Sequence, residues 1–251
     1  MNFHNYPTLS KSPLVETAIC ISLVGRSLCK DQVLAWAESH ASDYEVHEDL
    51  NAFSLTMDLQ VPENVKRTSG WAGMRLRNKG NLVITLQNEQ DGSVTFAFSM
   101  LRPYSKWNQF LELSQPLIES VYTLVEATAV KRLGIRSIDR IAVDQEKARL
   151  SDIIKTVPPD LEGVQVPIIH DFIYKDTAFY SDFGLFATVI RAGRPNTTGT
   201  AGDFILDIDV FHSTNQGMSK HDALAKLPEI RELKDRLFFN TISDECLERF
   251  K

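Results

Sequence analysis

The chain has 251 residues, 43% of them hydrophobic and 24% charged, ordinary globular values that exclude a disordered, collagen-like or coiled-coil chain. That length suits one large domain or two small ones, enough to hide roughly 70–75% of the surface an unfolded chain exposes. Twenty-seven basic against thirty-three acidic side chains leave a net charge of −6, so long-range attraction to nucleic acid or anionic lipid is not built in.

Leu14 to Val24 reads as a first strand, and Ser27 to His40 as a helix that turns Val33, Leu34 and Trp36 inward. An antiparallel meander follows. Phe53, Leu55 and Met57 alternate with polar neighbours, Gly73 to Lys79 alternates, and so do Leu82, Ile84 and Leu86; Val94, Phe96, Phe98 and Met100 come after an Asp91-Gly92 turn. From Lys106 to about Ala129 the apolar spacing becomes helical, with Pro116 expected to kink the helix or mark its start. Arg132 to Val143 is a strand again, and Ser151 to Thr156 a short helix ending before Pro158-Pro159. Three further strands are expected at Ile168 to Lys175, Leu185 to Arg191 and Phe204 to Phe211. A last helical segment opens near Ser219, with Asp222 in an imperfect capping box and Pro228 interrupting it before Ile230, Leu233 and Leu237.

Both halves therefore read as strand, helix, antiparallel strands, long helix. This predicts an α+β fold with internal duplication, residues 1–130 and 131–251 forming two repeats that share one core. A TATA-binding-protein-like saddle, with the meanders merged into one curved sheet, is the simplest arrangement; two ferredoxin-like lobes are the competing one.

Cys20, Cys29 and Cys246 form no Cys-x-x-Cys pair and leave one thiol over in any pairing scheme, which favours a reducing compartment and a cytoplasmic protein. The apolar run Ala18 to Val24 is too short to span a bilayer and has no basic flank, so neither signal peptide nor anchor is expected. The sequon Asn196-Thr197-Thr198 would matter only in a secreted chain. Six histidines show no zinc-hydrolase spacing, and there is no nucleophile elbow or phosphate-cradling loop. No cofactor is expected.

The densest feature is the strand Lys131 to Ile141. Its period of two places Arg132, Arg136 and Arg140 on one face, with backbones about 13 Å apart per step. Each guanidinium could hold a separate carboxylate or phosphate of an extended anionic or protein guest. The competing reading pairs them with acids of a neighbouring strand, and Phe204 to Val210 offers those acids: Leu206, Ile208 and Val210 face one way, Asp207 and Asp209 the other. A sharper alternative makes Asp207 and Asp209 oxygen ligands for Mg²⁺ in nucleotide or nucleic-acid chemistry. A second basic face, Arg75, Arg77 and Lys79, follows Lys66-Arg67 and Trp71 and could hold single-stranded nucleic acid, although a charged, solvated edge strand explains it as well.

Three segments together resemble an uncharacterised, sporadically distributed prokaryotic family of about this length. They are Pro13-Leu14-Val15-Glu16, the central Arg132-Leu133-Gly134-Ile135-Arg136-Ser137-Ile138-Asp139-Arg140-Ile141, and Leu206-Asp207-Ile208-Asp209 before Phe239-Asn240-Thr241-Ile242-Ser243. Where that family usually has Tyr and Asn in its Arg-Tyr-x-Asn-Arg motif, this chain has Ser137 and Asp139. The resemblance implies no catalytic residues. Its sporadic occurrence implies mobile or defence-associated genes, whose products often act by gripping a partner. The leading expectation is therefore a non-enzymatic binding or regulatory module anchored by the arginine row.

Overall fold

A computed structural model of the chain describes residues 6–57, 65–103, 106–144, 150–156, 172–195 and 201–251. It is α+β. The elements run β1 (Leu14–Val24), α1 (Lys30–His40), β2 (Tyr44–Met57), β3 (Val65–Asn78), β4 (Leu82–Asn88), β5 (Val94–Leu101), α2 (Trp107–Leu124), β6 (Ala129–Asp144), β7 (Phe172–Tyr180), β8 (Leu185–Pro195), β9 (Ala201–Met218), α3 (Lys220–Ala225), α4 (Leu227–Thr241) and α5 (Asp244–Glu248). The strands form one nine-stranded sheet in the order β2-β3-β4-β5-β1-β6-β9-β8-β7.

At its centre β1 pairs antiparallel with β6, from Leu14 opposite Asp139 to Val24 opposite Ala129. The strand period of two then sorts the side chains into two faces. Ile19 lies between Phe98 of β5 and Ile135 of β6, and Ile21 between Phe96 and Leu133. With Leu206, Ile208 and Val210 of β9 they are buried in one continuous apolar cluster with α1, α2 and α4. Each such side chain contributes about 1.5–3 kcal/mol by leaving water. Phe98 stacks on Phe110 of α2 with ring centroids 5.2 Å apart, and Trp36 Nε1 of α1 donates to Ser120 Oγ of α2 at 3.0 Å. The described helices lie on this face; the opposite face carries none of them.

Several boundaries depart from the sequence pattern. Pro116 lies inside a continuous α2, tolerated because it and Glu112, whose carbonyl loses its partner, are exposed to water. The last helical segment is interrupted as expected, though at Lys226 between α3 and α4, and Pro228 occupies the first turn of α4, where its missing N–H costs nothing. The helix expected at Ser151 to Thr156 is only a 3₁₀ turn at Leu150–Asp152, after which Ile154 bridges to Ile242. β7 sits further along the chain than expected, and Ile168 to Asp171 lie outside the described residues, as does the sequon. Among the described residues no helix is long and apolar enough to cross a membrane.

Candidate functional site

Alternation along β6 sends Leu133 and Ile135 under the helices and Arg132, Arg136 and Arg140 to the face without helices. β9 lies beside β6, Arg136 directly opposite Asp209. The same alternation therefore brings Asp203, Asp207 and Asp209 onto the arginines' face. Arg136 Nε and Nη2 donate to Asp207 Oδ1 and Oδ2 at 2.9 and 2.6 Å, a two-pronged fit. Arg132 Nη2 reaches Asp209 Oδ2 at 2.7 Å, and Arg140 Nη2 reaches Asp203 Oδ2 at 2.6 Å. The Asp207 hydrogen bonds hold the Arg136 guanidinium above its already high range, and Asp203 does the same for Arg140. The three arginines are thus not a row of unpaired cations: each is neutralised by a carboxylate of the next strand.

Pairing leaves the two partners differently placed. The Arg136 side chain is 47% exposed above an Asp207 side chain that is 10% exposed, and Arg140 is 59% exposed above Asp203 at 18%. The carboxylates lie beneath and the guanidinium forks outward. A guanidinium has five N–H donors, so each keeps donors beyond those its aspartate takes.

Arg132 reaches Asp209 because of Gly134. Its guanidinium lies over the Phe211 ring, 4.1 Å from the centroid, along the strand where a side chain at 134 would stand. A Cβ there would meet Phe211 Cβ at 2.9 Å, Val210 O at 3.0 Å and Arg132 Nη1 at 3.1 Å. Gly134→Ala is therefore expected to lower stability by about 1–3 kcal/mol through overpacking, read as a lower midpoint in chemical denaturation; an unchanged midpoint would show that the strands yield without strain.

Beyond Phe211 an aromatic row continues to the sheet edge. Phe211 stacks with Phe186 of β8 at 5.6 Å, and Phe186 meets Phe179 of β7 at 4.9 Å with the rings tilted. On the other side of Arg132 the same face opens into a cleft of about 1020 Å³, with Ser22, Thr95 and Gln87 on its floor, Glu48 and Phe53 of β2 on its wall, and Arg132 at its end. Cys20, also in this cleft, has its thiol pushed up to about 11 by burial and by Asp209, so it is not a thiolate nucleophile.

The carboxylates considered for a metal face guanidinium groups. Both oxygens of Asp207 are engaged by Arg136, while Asp209 Oδ1 is buried without a hydrogen-bond partner among the described residues. No group of three or more His, Cys, Asp or Glu side chains that could hold a metal ion occurs among them. The second basic face is not at an edge, since β3 lies between β2 and β4. Arg75 Nη1 donates to Glu48 Oε2 at 2.7 Å, Arg77 is exposed opposite Glu45, and Lys79 is exposed in the turn beyond. Trp71 Nε1 donates to Asp49, which also accepts from Lys30.

Sequence reasoning missed Asp203, although it shares parity with Asp207 and Asp209. It also missed Gly134, the aromatic row and the cleft, each of which depends on strand order.

No family model and no curated protein matches the chain. Among solved structures, the di-domain ARO/CYC StfQ from the steffimycin biosynthetic pathway aligns over 93% of this chain and 97% of its own at 9% identity, with a TM-score of 0.24. DynU16 from the dynemicin biosynthetic locus aligns over 88% and 98% at 8% identity, with a TM-score of 0.19. At these scores neither likeness bears on function.

Proposed function

We propose that the chain is a non-enzymatic binding or regulatory module that grips a protein or anionic ligand on the helix-free face of its sheet, at the seam of two halves. The observation that carries this reading is the Arg136 fork, held in a fixed orientation by Asp207 yet half in water. Pre-orientation lowers the ordering cost of capturing a carboxylate or phosphate; the adjoining cleft, lined by Glu48, Asp49, Glu89 and Asp91 beside Arg132, adds room but no attraction for an anion. The strand order, which reads outward on both sides from the β1–β6 pair, supports two copies of one unit, residues 1–130 and 131–251, arranged as a TATA-binding-protein-like saddle. A cytoplasmic product of a mobile or defence-associated gene cassette fits the family resemblance.

The metal-dependent alternative through Asp207 and Asp209 ranks lower because a cation would have to displace guanidinium groups already in place. Nucleic-acid binding through Arg75, Arg77 and Lys79 ranks lower because Arg75 is paired and the chain is acidic overall.

Arg140 is the most exposed of the three and the safest to remove. Calorimetric titration of a glutamate-rich peptide and of inorganic phosphate into the wild-type chain and Arg140→Ala is the test. Binding weakened about tenfold in the variant, a loss of about 1.4 kcal/mol, with the variant still folded at the temperature of the titration, supports the reading. Equal binding by both chains, or heat only from Mg²⁺ or Mn²⁺, overturns it.

A further inference from the structure

The two edges of the sheet differ in a way that the function above does not use. β2 also exposes Val46 and Phe53, but it carries Glu45, His47, Glu48 and Asp49 within five residues, the charged pattern that keeps an edge strand from pairing with another chain. β7, at the other edge, reads Phe172-Ile173-Tyr174-Lys175-Asp176-Thr177-Ala178-Phe179-Tyr180. Ile173 is 75% exposed, Phe179 57% and Tyr174 39%. Its outward backbone groups have no strand partner among the described residues, because β8 is its only neighbour in the sheet.

We propose that β7 is a dimerisation edge, on which a second copy of this chain pairs its own β7 antiparallel about Asp176. Symmetry restricts the choices. The residues of one strand whose N–H and C=O point outward are all of one parity, so a two-fold pairing must set odd residues opposite odd and even opposite even. Centring it on Asp176 pairs all nine residues of the strand. Ile173 then meets Phe179 of the second copy, twice, which covers the two most exposed apolar side chains of β7. That contact also continues the Phe211–Phe186–Phe179 row, which otherwise ends in water at the edge.

Charge favours the same register. The two Asp176 carboxylates would stand opposite each other, but Asp176 Oδ2 already accepts from Arg191 Nη1 at 2.5 Å, so each brings its own cation. Centring on Lys175 would oppose two ammonium groups that have no acidic partner among the described residues, an arrangement that destabilises a cross-strand pair.

Light scattering on the full chain, from micromolar to near-millimolar concentration, tests this directly. The wild type should give a particle of twice the 28.4 kDa of one chain. Ile173→Lys/Phe179→Lys should give a folded monomer, because both side chains are largely in water in the single chain. Ile173→Glu/Phe179→Glu should also be monomeric, and mixing the two variants should restore the dimer by setting lysine opposite glutamate. A wild-type chain that stays monomeric throughout, a lysine variant that still dimerises, or folded variants that fail to recover a dimer on mixing would each overturn the proposal.

Discussion

Asp139→Asn should raise the melting temperature at pH 8 by several degrees and leave it almost unchanged near pH 4. Asp139 lies on β6 on the side away from the arginines, 3% exposed, at the face covered by α4. Its carboxylate makes no ion pair or hydrogen bond with the side chains of the described residues, although its backbone lies in the ladder between β1 and β9. Burial pushes its carboxyl up to about 7; Lys234 of α4 draws it down, and Asp235 and Asp207 add to the rise. An exposed aspartate in the unfolded chain titrates at about 3.9. Between these two values the unfolded chain has released its proton and the folded chain has kept it, so stability falls as pH rises through that window and levels off above the folded value. The full difference corresponds to an upper bound on the order of 4 kcal/mol at alkaline pH. Asparagine cannot ionise, so the variant should lose this slope and be the more stable protein at pH 8. Thermal melts of both chains from pH 4 to pH 8 check it; parallel curves would mean that Asp139 is solvated or paired in the folded chain.

Arg136→Ala should destabilise the chain by about 2 kcal/mol, and Arg136→Ala/Asp207→Ala should recover at least half of that. Removing the guanidinium strands a carboxylate whose side chain is 10% exposed, and breaking a fully buried pair typically costs about 3–5 kcal/mol. The figure here is smaller because half of Arg136 is in water, where an ion pair is screened. Asp207→Ala alone should cost less than Arg136→Ala, since the guanidinium it frees can be hydrated. Urea denaturation of the four chains closes the cycle. Equal costs for the two single variants, with no recovery in the double, would mean that the pair contributes packing and not charge compensation.

Much of the sheet was legible because a period of two survives wherever one face is buried. β1 is read at its observed limits, and Leu206, Ile208 and Val210 are separated from Asp207 and Asp209 by alternation alone. β7 was placed too early because it is exposed along most of its length, so burial imposes no pattern on it. β3 was read too short because its first residues pair with β2 without alternating apolar positions. The arginine row was visible as a row, but its state depends on which strand lies next to β6. Nothing local in Arg132 to Arg140 specifies β9 as that neighbour, nor that Gly134 leaves room for the Arg132 side chain over Phe211.

The seam arginines as an outward-facing grip is the claim on which the functional account rests. Native mass spectrometry of the chain purified from its own host, beside Arg140→Ala prepared the same way, tests it most directly. The account predicts a non-covalent guest on the wild type that is lost or strongly depleted on the variant, with both chains folded. A guest retained equally by both, or a wild-type chain that carries none, would contradict it.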